Sequence, residues 1–465
     1  MSFLVVLAAL VFLMFVAYRG YSVILFAPIA AMGAVLLTDP RLVAPMFTGL
    51  FMDKLTSFIK LYFPVFLLGA IFGKVIELSG FSKAIVTSVI KLIGAQRTIL
   101  SIVAVCSVLT YGGVSLFVVV FAVYPFAAEM FKLGDIPKRL IPGTIALGSF
   151  TFTMDSLPGT PQIQNIIPTS FFKTTIYAAP RLGSIGALFI LLAGLLYLDW
   201  RRRQALVAGE GYGANPLNEP EAFDHGTLAH PCVAILPLIL VGVLNKLLTV
   251  LIPKFYGEST SFIPAIVGKT EPVVQDSSKV AAIWAVEGAL LVGILSVFIL
   301  AWKAVAGRFA AGSKPAISGA LLACMNTASE YGFGAVIAAL PGFLVIANTL
   351  KTIPNPLVNA AIATTSLAGI TGSASGGLSI TLAAMSDSFI QNAKSAGIPL
   401  EVFHRVVSMA SGGMDTLPHN GAVITLLAVT GLTHRQSYVD ILAITLIKTA
   451  AVFGIVAVYE LTGIV

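Results

Sequence analysis

The chain has 465 residues, of which 57% are apolar and 11% charged, against roughly a quarter charged in soluble domains. So few charges cannot coat a soluble body of 48.7 kDa, and so much apolar surface excludes a disordered chain. The +7 balance of 28 basic over 21 acidic residues is scattered along the chain; nucleic-acid binding would need it gathered into a stripe.

What remains is an all-α polytopic membrane protein. Cys106, Cys232 and Cys324 each lie in a separate apolar run, which suits neither a disulfide framework nor a zinc site. Residues 2–18 are apolar without a basic start, Arg19 coming after them, and so read as a retained first span rather than a secretory signal. Further runs near the ~20 residues that cross a bilayer lie at 21–37, 58–78, 183–200, 230–252, 280–302, 318–338 and 439–460. They are apolar all round, as lipid-embedded helices are, and the two-residue alternation of an outer-membrane barrel is absent. The stretch 201–229 opens on Arg201-Arg202-Arg203 and reads as a cytoplasmic linker between two halves. Residues 253–279 form a second linker by composition, and a short loop carries Lys303, Arg308 and Lys314. Basic residues divide almost evenly between the two sides, so the orientation rests on these short loops.

The two halves repeat one another. Ser79-Gly80-Phe81 matches Pro341-Gly342-Phe343, and Tyr111-Gly112-Gly113-Val114-Ser115-Leu116 matches Ser375-Gly376-Gly377-Leu378-Ser379-Ile380. Ile136-Pro137 matches Ile398-Pro399, and Met154-Asp155-Ser156-Leu157-Pro158 matches Met414-Asp415-Thr416-Leu417-Pro418. The offsets, 262, 264, 262 and 260 in chain order, lie on one diagonal, which is the mark of a duplication. Around Gly112-Gly113 the arms 98–110 and 114–128 are too short to cross a bilayer and end in basic residues. That pattern predicts a re-entrant hairpin, with one long kinked helix as the rival. Residues 140–153 and 162–179 are short helical runs around Pro158, Gly159 and Pro161, hence one span with an unwound middle. The first half then crosses five times, at 2–18, 21–37, 58–78, 140–179 and 183–200. An odd number inserts the second half upside down, giving two inverted-topology repeats, each of about five spans plus a re-entrant hairpin and one broken helix. That arrangement is typical of secondary transporters, with the ligand site where the broken helices meet.

Asp155 and Asp415 occupy equivalent breaks, and carboxylates at bilayer depth are costly and usually functional. An alternative role for each is N-cap of the half-helix that follows, with Pro158 or Pro418 in its first turn. Neutral hydrogen-bonding groups surround them: Tyr111, Ser115, Ser156, Thr160, Gln162, Gln164 and Asn165 in one copy, Ser373, Ser375, Ser379, Thr416, His419 and Asn420 in the other. With the glycines Gly112, Gly113, Gly159, Gly376 and Gly377 these make the expected substrate-binding set. Free N–H groups at half-helix N-termini would hold a carboxylate without a buried arginine. Asp155, Asp415 and His419 are the expected proton-coupling groups, His419 because its ordinary pKa lies near physiological pH. Glu287, Glu330 and Lys448 lie inside spans and read better as ion-paired or snorkelling than as relay members. No nucleotide loop, zinc motif or Ser-His-Asp order stands out, so neither cofactor nor metal is expected. An intramembrane enzyme is the remote alternative.

Segments Tyr111–Leu116, Thr144–Asn165, Gly372–Ile380 and Ser411–Thr425 resemble the gluconate permease (GntP) family of the ion transporter superfamily. The Met154–Gln162 stretch is their most specific part. The resemblance implies a bacterial inner-membrane symporter, usually proton-driven, for gluconate or another small hydroxy acid, and a homodimer whose transport domain moves against a scaffold. On that division 1–78 and 230–338 are scaffold. Residues 79–200, with hairpin 98–130 and broken helix 140–179, and 339–465, with hairpin 357–392 and broken helix 403–430, are the transport part. Gluconate permeases carry His-Pro-Gly-Pro where this chain has Gly159-Thr160-Pro161-Gln162, and Val-Asn-Asp-Pro where it has Leu417-Pro418-His419-Asn420. Those loops shape the ligand pocket. The difference moves the resemblance toward the branch that handles 3-hydroxybutyrate and related short hydroxy acids. Sodium is the alternative coupling ion, because unwound carbonyls with Ser, Thr and Asn side chains also hold sodium.

Overall fold

The structure is a computed structural model that describes residues 2–19, 21–94, 97–114, 116–213, 218–219, 229–263, 272–343, 345, 353–371, 373–418 and 420–465. Helices account for nearly all of it. The first repeat contains α1 (Ser2–Tyr18), α2 (Val23–Thr38), the helical span α3 (Pro40–Leu78), α4 (Phe81–Ile93), α5 (Thr98–Tyr111) and α6 (Leu116–Leu133). It continues through α7 (Ile141–Ser149), the single turn α8 (Phe152–Asp155), α9 (Ile163–Phe172) and α10 (Pro180–Val207). The second contains α11 (Pro231–Tyr256), α12 (Ser277–Ala339), α13 (Pro356–Thr371), α14 (Ala374–Ala396), α15 (Leu400–Gly412), α16 (Gly421–Thr430) and α17 (His434–Thr462). Five of these helical segments are long and apolar enough to cross a membrane. Large apolar side chains such as Leu196 and Ile299 stay exposed along them, as lipid contact requires.

The duplication recurs element by element. In the first copy the chain leaves helical geometry at Asp39 (φ −150°, ψ 104°), and 262 residues later Ala301 (φ −133°, ψ 34°) breaks α12 into two arms. Equivalent helices run antiparallel. A methyl group on Gly332 would meet Phe51, and one on Gly312 would meet Lys74 and Leu78, so the second arm of α12 reads backwards along α3. Likewise Gly186 of α10 lies on Met409 and Ile455, whereas Arg201 further along reaches Asp440 at 2.6 Å. An element that packs antiparallel to its own duplicate is what inverted repeats produce.

Both glycine-rich interruptions are hairpins. After α5 the chain turns at Gly112-Gly113, with Gly113 at φ +94°, a region costly for any residue with a Cβ. The Val114 N–H closes this turn on the Leu109 carbonyl at 3.0 Å. In the second copy Gly377 rests on the backbone of Ala368 across the turn, so α13 and α14 double back instead of forming one kinked helix. Ser373 starts α14 as an N-cap, its hydroxyl accepting from the Gly376 N–H at 3.1 Å.

The structure redraws the edges of three linker expectations. Residues 303–317, read as a loop, continue the second arm of α12. There Arg308 donates to the Leu78 carbonyl at 2.6 Å, and packing against α3 overrides the polar composition. Of 253–279, the helix runs on to Tyr256 and a small hairpin follows, Ser259 pairing with Asp276 and Phe262 with Val273. Of 201–229, the basic cluster is the last part of α10, kept helical by Arg202 and Arg203 pairing back to Asp199 at 2.8 Å.

Gly377→Ala is expected to lower stability by about 1–3 kcal/mol through overpacking against Ala368. Gly454→Ala, with nothing within 4 Å of the new methyl, should leave it unchanged or slightly higher. Thermal unfolding in detergent separates the two outcomes.

Candidate functional site

Both breaks are held by the other repeat. Residues 156–162 leave helical geometry because Pro158 and Pro161 lack an N–H and Gly159 turns at φ +84°. Helix α9 then restarts at Ile163. Arg405 of α15, fully buried, fills the gap left by the missing helical bonds. Its guanidinium donates to the Asp155 carbonyl at 2.5 Å, the Ala178 carbonyl at 2.8 Å and the Asn165 Oδ1 at 3.0 Å. Asn165 donates in turn to the carbonyls of Thr160 at 3.0 Å and Ile176 at 2.8 Å. His404, beside it, bonds Thr174 Oγ1 at 2.6 Å.

The start of α9 touches both hairpin tips. Gln162 donates to the Thr110 carbonyl at 2.8 Å and the Val114 carbonyl at 3.3 Å, the two sides of the first tip. Gln164 donates to Asp415 at 2.9 Å, and Asp415 accepts the Ala374 N–H at 3.0 Å at the second tip. Tyr111 closes over the first break by donating to the Pro158 carbonyl at 2.8 Å. Two tips and two breaks therefore share one region inside the protein.

Asp155 and Asp415 sit in different surroundings. Asp155 Oδ2 lies 2.6 Å from Lys448 Nζ, both side chains fully buried. Its Oδ1 accepts from the Ser156 hydroxyl at 2.7 Å, while Lys448 donates to the Phe150 carbonyl at 3.0 Å. Gly412 lies against this pair: a methyl there would fall on both the Asp155 carboxylate and the Lys448 ammonium. Asp415 has N–H donors instead, from Ala374, Gln164 and, at 3.2 Å, Asn420. Neither aspartate caps the half-helix after its break. Asp155 ends α8, Asn420 caps α16 by accepting from Ala422 at 2.7 Å, and Pro158 and Pro418 lie before their following helices.

The remaining expected residues are placed as follows. Gly112 packs on Leu238, Gly113 on Pro161 and Leu290, and Gly159 on Tyr177 and Tyr111. Thr160 is buried with its hydroxyl unpartnered among the described residues, the kind of group a ligand could satisfy. Ser375 Oγ lies 3.3 Å from Thr327 Oγ1, Ser379 bonds back along its own helix at 2.7 Å, and Gly376 and Gly377 are closed in by Glu330 and Ala368. Thr416 faces away, its hydroxyl 2.6 Å from that of Thr445. Ser115, Gly372 and His419 lie outside the described residues.

Sequence reasoning missed Arg405 and His404. It expected the region to do without a buried arginine, and Arg405 is there but committed to carbonyls. The available signal was a charged pair inside an otherwise buried helix, Arg405 matching Ile145 of the first copy at the offset of 260. Lys448 is ion-paired as expected, whereas among the described residues no cation pairs with Glu330.

No family model matches the chain. It is 59% identical over 474 residues to a protein described as an uncharacterized transporter, YxjC, of Bacillus subtilis (strain 168), the match covering 100% of both chains. Among solved structures it is similar to the crystal structure of the Alcanivorax borkumensis YdaH transporter, with a TM-score of 0.50 over 92% of this chain and 90% of that one. At 14% identity this likeness concerns the fold alone.

Lys448→Met should cost about 3–5 kcal/mol, because it strands a buried carboxylate. Adding Asp155→Asn should recover much of that loss. Equal destabilisation by the single and double variants in detergent unfolding would show that the pair has no coupling.

Proposed function

Because the chain belongs to the family of the transporter YxjC, we propose that it is a secondary active transporter performing proton-coupled symport of a small hydroxy-monocarboxylate across the inner membrane. Its transport role and its multi-pass architecture follow from that family and from the apolar spans. The supporting observation is the meeting of both hairpin tips and both breaks at the start of α9. Non-helical backbone at bilayer depth is tolerated where it is walled by protein or lines a watery cavity. The Thr160 hydroxyl, unpartnered among the described residues, suits a ligand that carries a hydroxyl or a carboxylate oxygen. The likeness of the Met154–Gln162 segment to gluconate permeases, with its altered loop, favours a 3-hydroxybutyrate-like substrate over a gluconate-like one.

The packing supports alternating access. Helices α2, α3, α11 and α12 pack mainly on one another, and α7, α10, α13, α15 and α17 form a second group. In this reading the first group, residues 1–78 and 230–338, is the scaffold and contributes the contact of a homodimer within the lipid bilayer. The second group, within 79–200 and 339–465, moves, and 201–229 joins the halves on the cytoplasmic side. A sodium-coupled reading draws on the Thr327, Ser373 and Ser375 hydroxyls gathered near Asp415 at the second tip.

In proteoliposomes, an acid-outside pH gradient should drive accumulation of labelled 3-hydroxybutyrate. Unlabelled lactate or gluconate should compete better than citrate. Uptake that follows a sodium gradient and ignores pH would overturn proton coupling, and indifference to every hydroxy acid would overturn the substrate class.

A further inference from the structure

Glu330 lies in the second arm of α12, 3% exposed, within a membrane-spanning helix. Its Oε2 has no hydrogen-bond partner, and among the described residues no cation pairs with the carboxyl. The two aspartates of the region differ from it in this respect. Asp155 has Lys448, and Asp415 has three N–H donors. Three buried acids thus share the region with two buried cations, Lys448 and Arg405. An unpaired carboxylate at that depth is costly, and a bound proton removes the cost.

The position is not one that helix packing demands. At the offset of 262, the first repeat carries Leu68. Nor is Glu330 remote from the moving parts. A methyl on Gly376 would fall on its carboxyl, one on Gly334 a turn later would meet Ile380, and Thr327 a turn earlier lies 3.3 Å from Ser375. The carboxyl therefore rests on the first turn of α14, the same turn whose Ala374 N–H is held by Asp415.

Asp415 is the charged group facing it. Tyr331, the next residue in the chain, adds a phenol whose ring packs against Phe58. From α14 its carboxyl meets Gly376, and from α9 the neutral Gln164 reaches Asp415.

We propose that Glu330 carries the coupled proton, and that losing it sets two like charges on either side of the second hairpin tip, loosening residues 373–377. In the step itself an O–H bond of an external hydronium ion breaks, leaving water, as an O–H bond forms on a Glu330 oxygen. On the internal side that bond breaks as the proton forms a new O–H bond on a water molecule, leaving hydronium and the Glu330 carboxylate. The assignment rests on the proton-coupled reading above and names the group that serves it. It places the titrating group on the scaffold side of the tip, rather than on Asp155 or Asp415.

The test uses the full chain in liposomes with an acid-outside gradient of about one pH unit, which supports about tenfold accumulation per coupled proton. Wild-type protein should accumulate labelled 3-hydroxybutyrate. Glu330→Gln should still exchange labelled for unlabelled substrate, while its accumulation falls about tenfold, to equality. If the wild type moves no hydroxy acid, or follows sodium alone, the functional reading and this assignment both fall. If Glu330→Gln accumulates as the wild type does, only the assignment falls. Infrared spectra in detergent give a readout that does not depend on transport. At neutral pH the wild type should show a protonated-carboxyl C=O band that moves in Glu330→Asp and persists in Asp415→Asn. Its absence from the wild type, or its loss in Asp415→Asn alone, overturns the assignment.

Discussion

A helix interrupted inside a bilayer strands carbonyl oxygens that no water can reach, and this protein answers with one guanidinium. Arg405 reaches the carbonyls of Asp155 and Ala178 and the amide oxygen of Asn165, which spans the break from its first residue to the far side of α9. Guanidinium suits this task because its donors diverge in one plane and stay charged. The cost of burying that charge is offset by carbonyl dipoles and by the carboxylate of Asp155 nearby. The placement of Gln162, Gln164 and Tyr111 depends on the path that Arg405 imposes on residues 155–178.

The two repeats share a backbone plan and diverge in charge. Their breaks carry equivalent aspartates, yet one is paired with an ammonium and the other with N–H groups. The cations come from the second repeat alone, Arg405 and Lys448 both reaching into the break of the first. Symmetry of this kind builds the architecture, and its loss at a few side chains gives the two halves separate tasks. Asp440 shows the same cross-repeat pattern, pairing with Arg139 at 3.1 Å and Arg201 at 2.6 Å.

Much of the fold was legible because the elements that define it are written in residues with few alternatives. Gly112-Gly113, the Met-Asp segments and the shared offset near 262 mark turns, breaks and duplication, and the hairpins and interrupted helices lie there. The helical continuation through 303–317 was not legible. Lys303, Arg308 and Lys314 read locally as a loop, and the segment is helical where it packs against α3. Of the candidate region, the two breaks with Asp155 and Asp415 were marked in the sequence. The partners of those acids come from distant helices whose side chains carry no local signature, so the sequence names no partner for Lys448 and no role for Arg405. Capping chemistry also lies elsewhere: Asn420 holds the N-cap position of α16, and Gln162 that of α9 without a side-chain cap bond.

The Arg405 contacts also constrain the order of assembly. The donor lies 250 residues downstream of the Asp155 carbonyl and 227 downstream of that of Ala178. A ribosome building this chain therefore delivers the interrupted helix of the first half to the membrane long before its guanidinium exists. Until then those carbonyls must remain hydrated or be shielded by an insertion factor, and the first half cannot settle into its final depth by itself. Maturation becomes a late, concerted event: the last helices to emerge complete the ones that entered first.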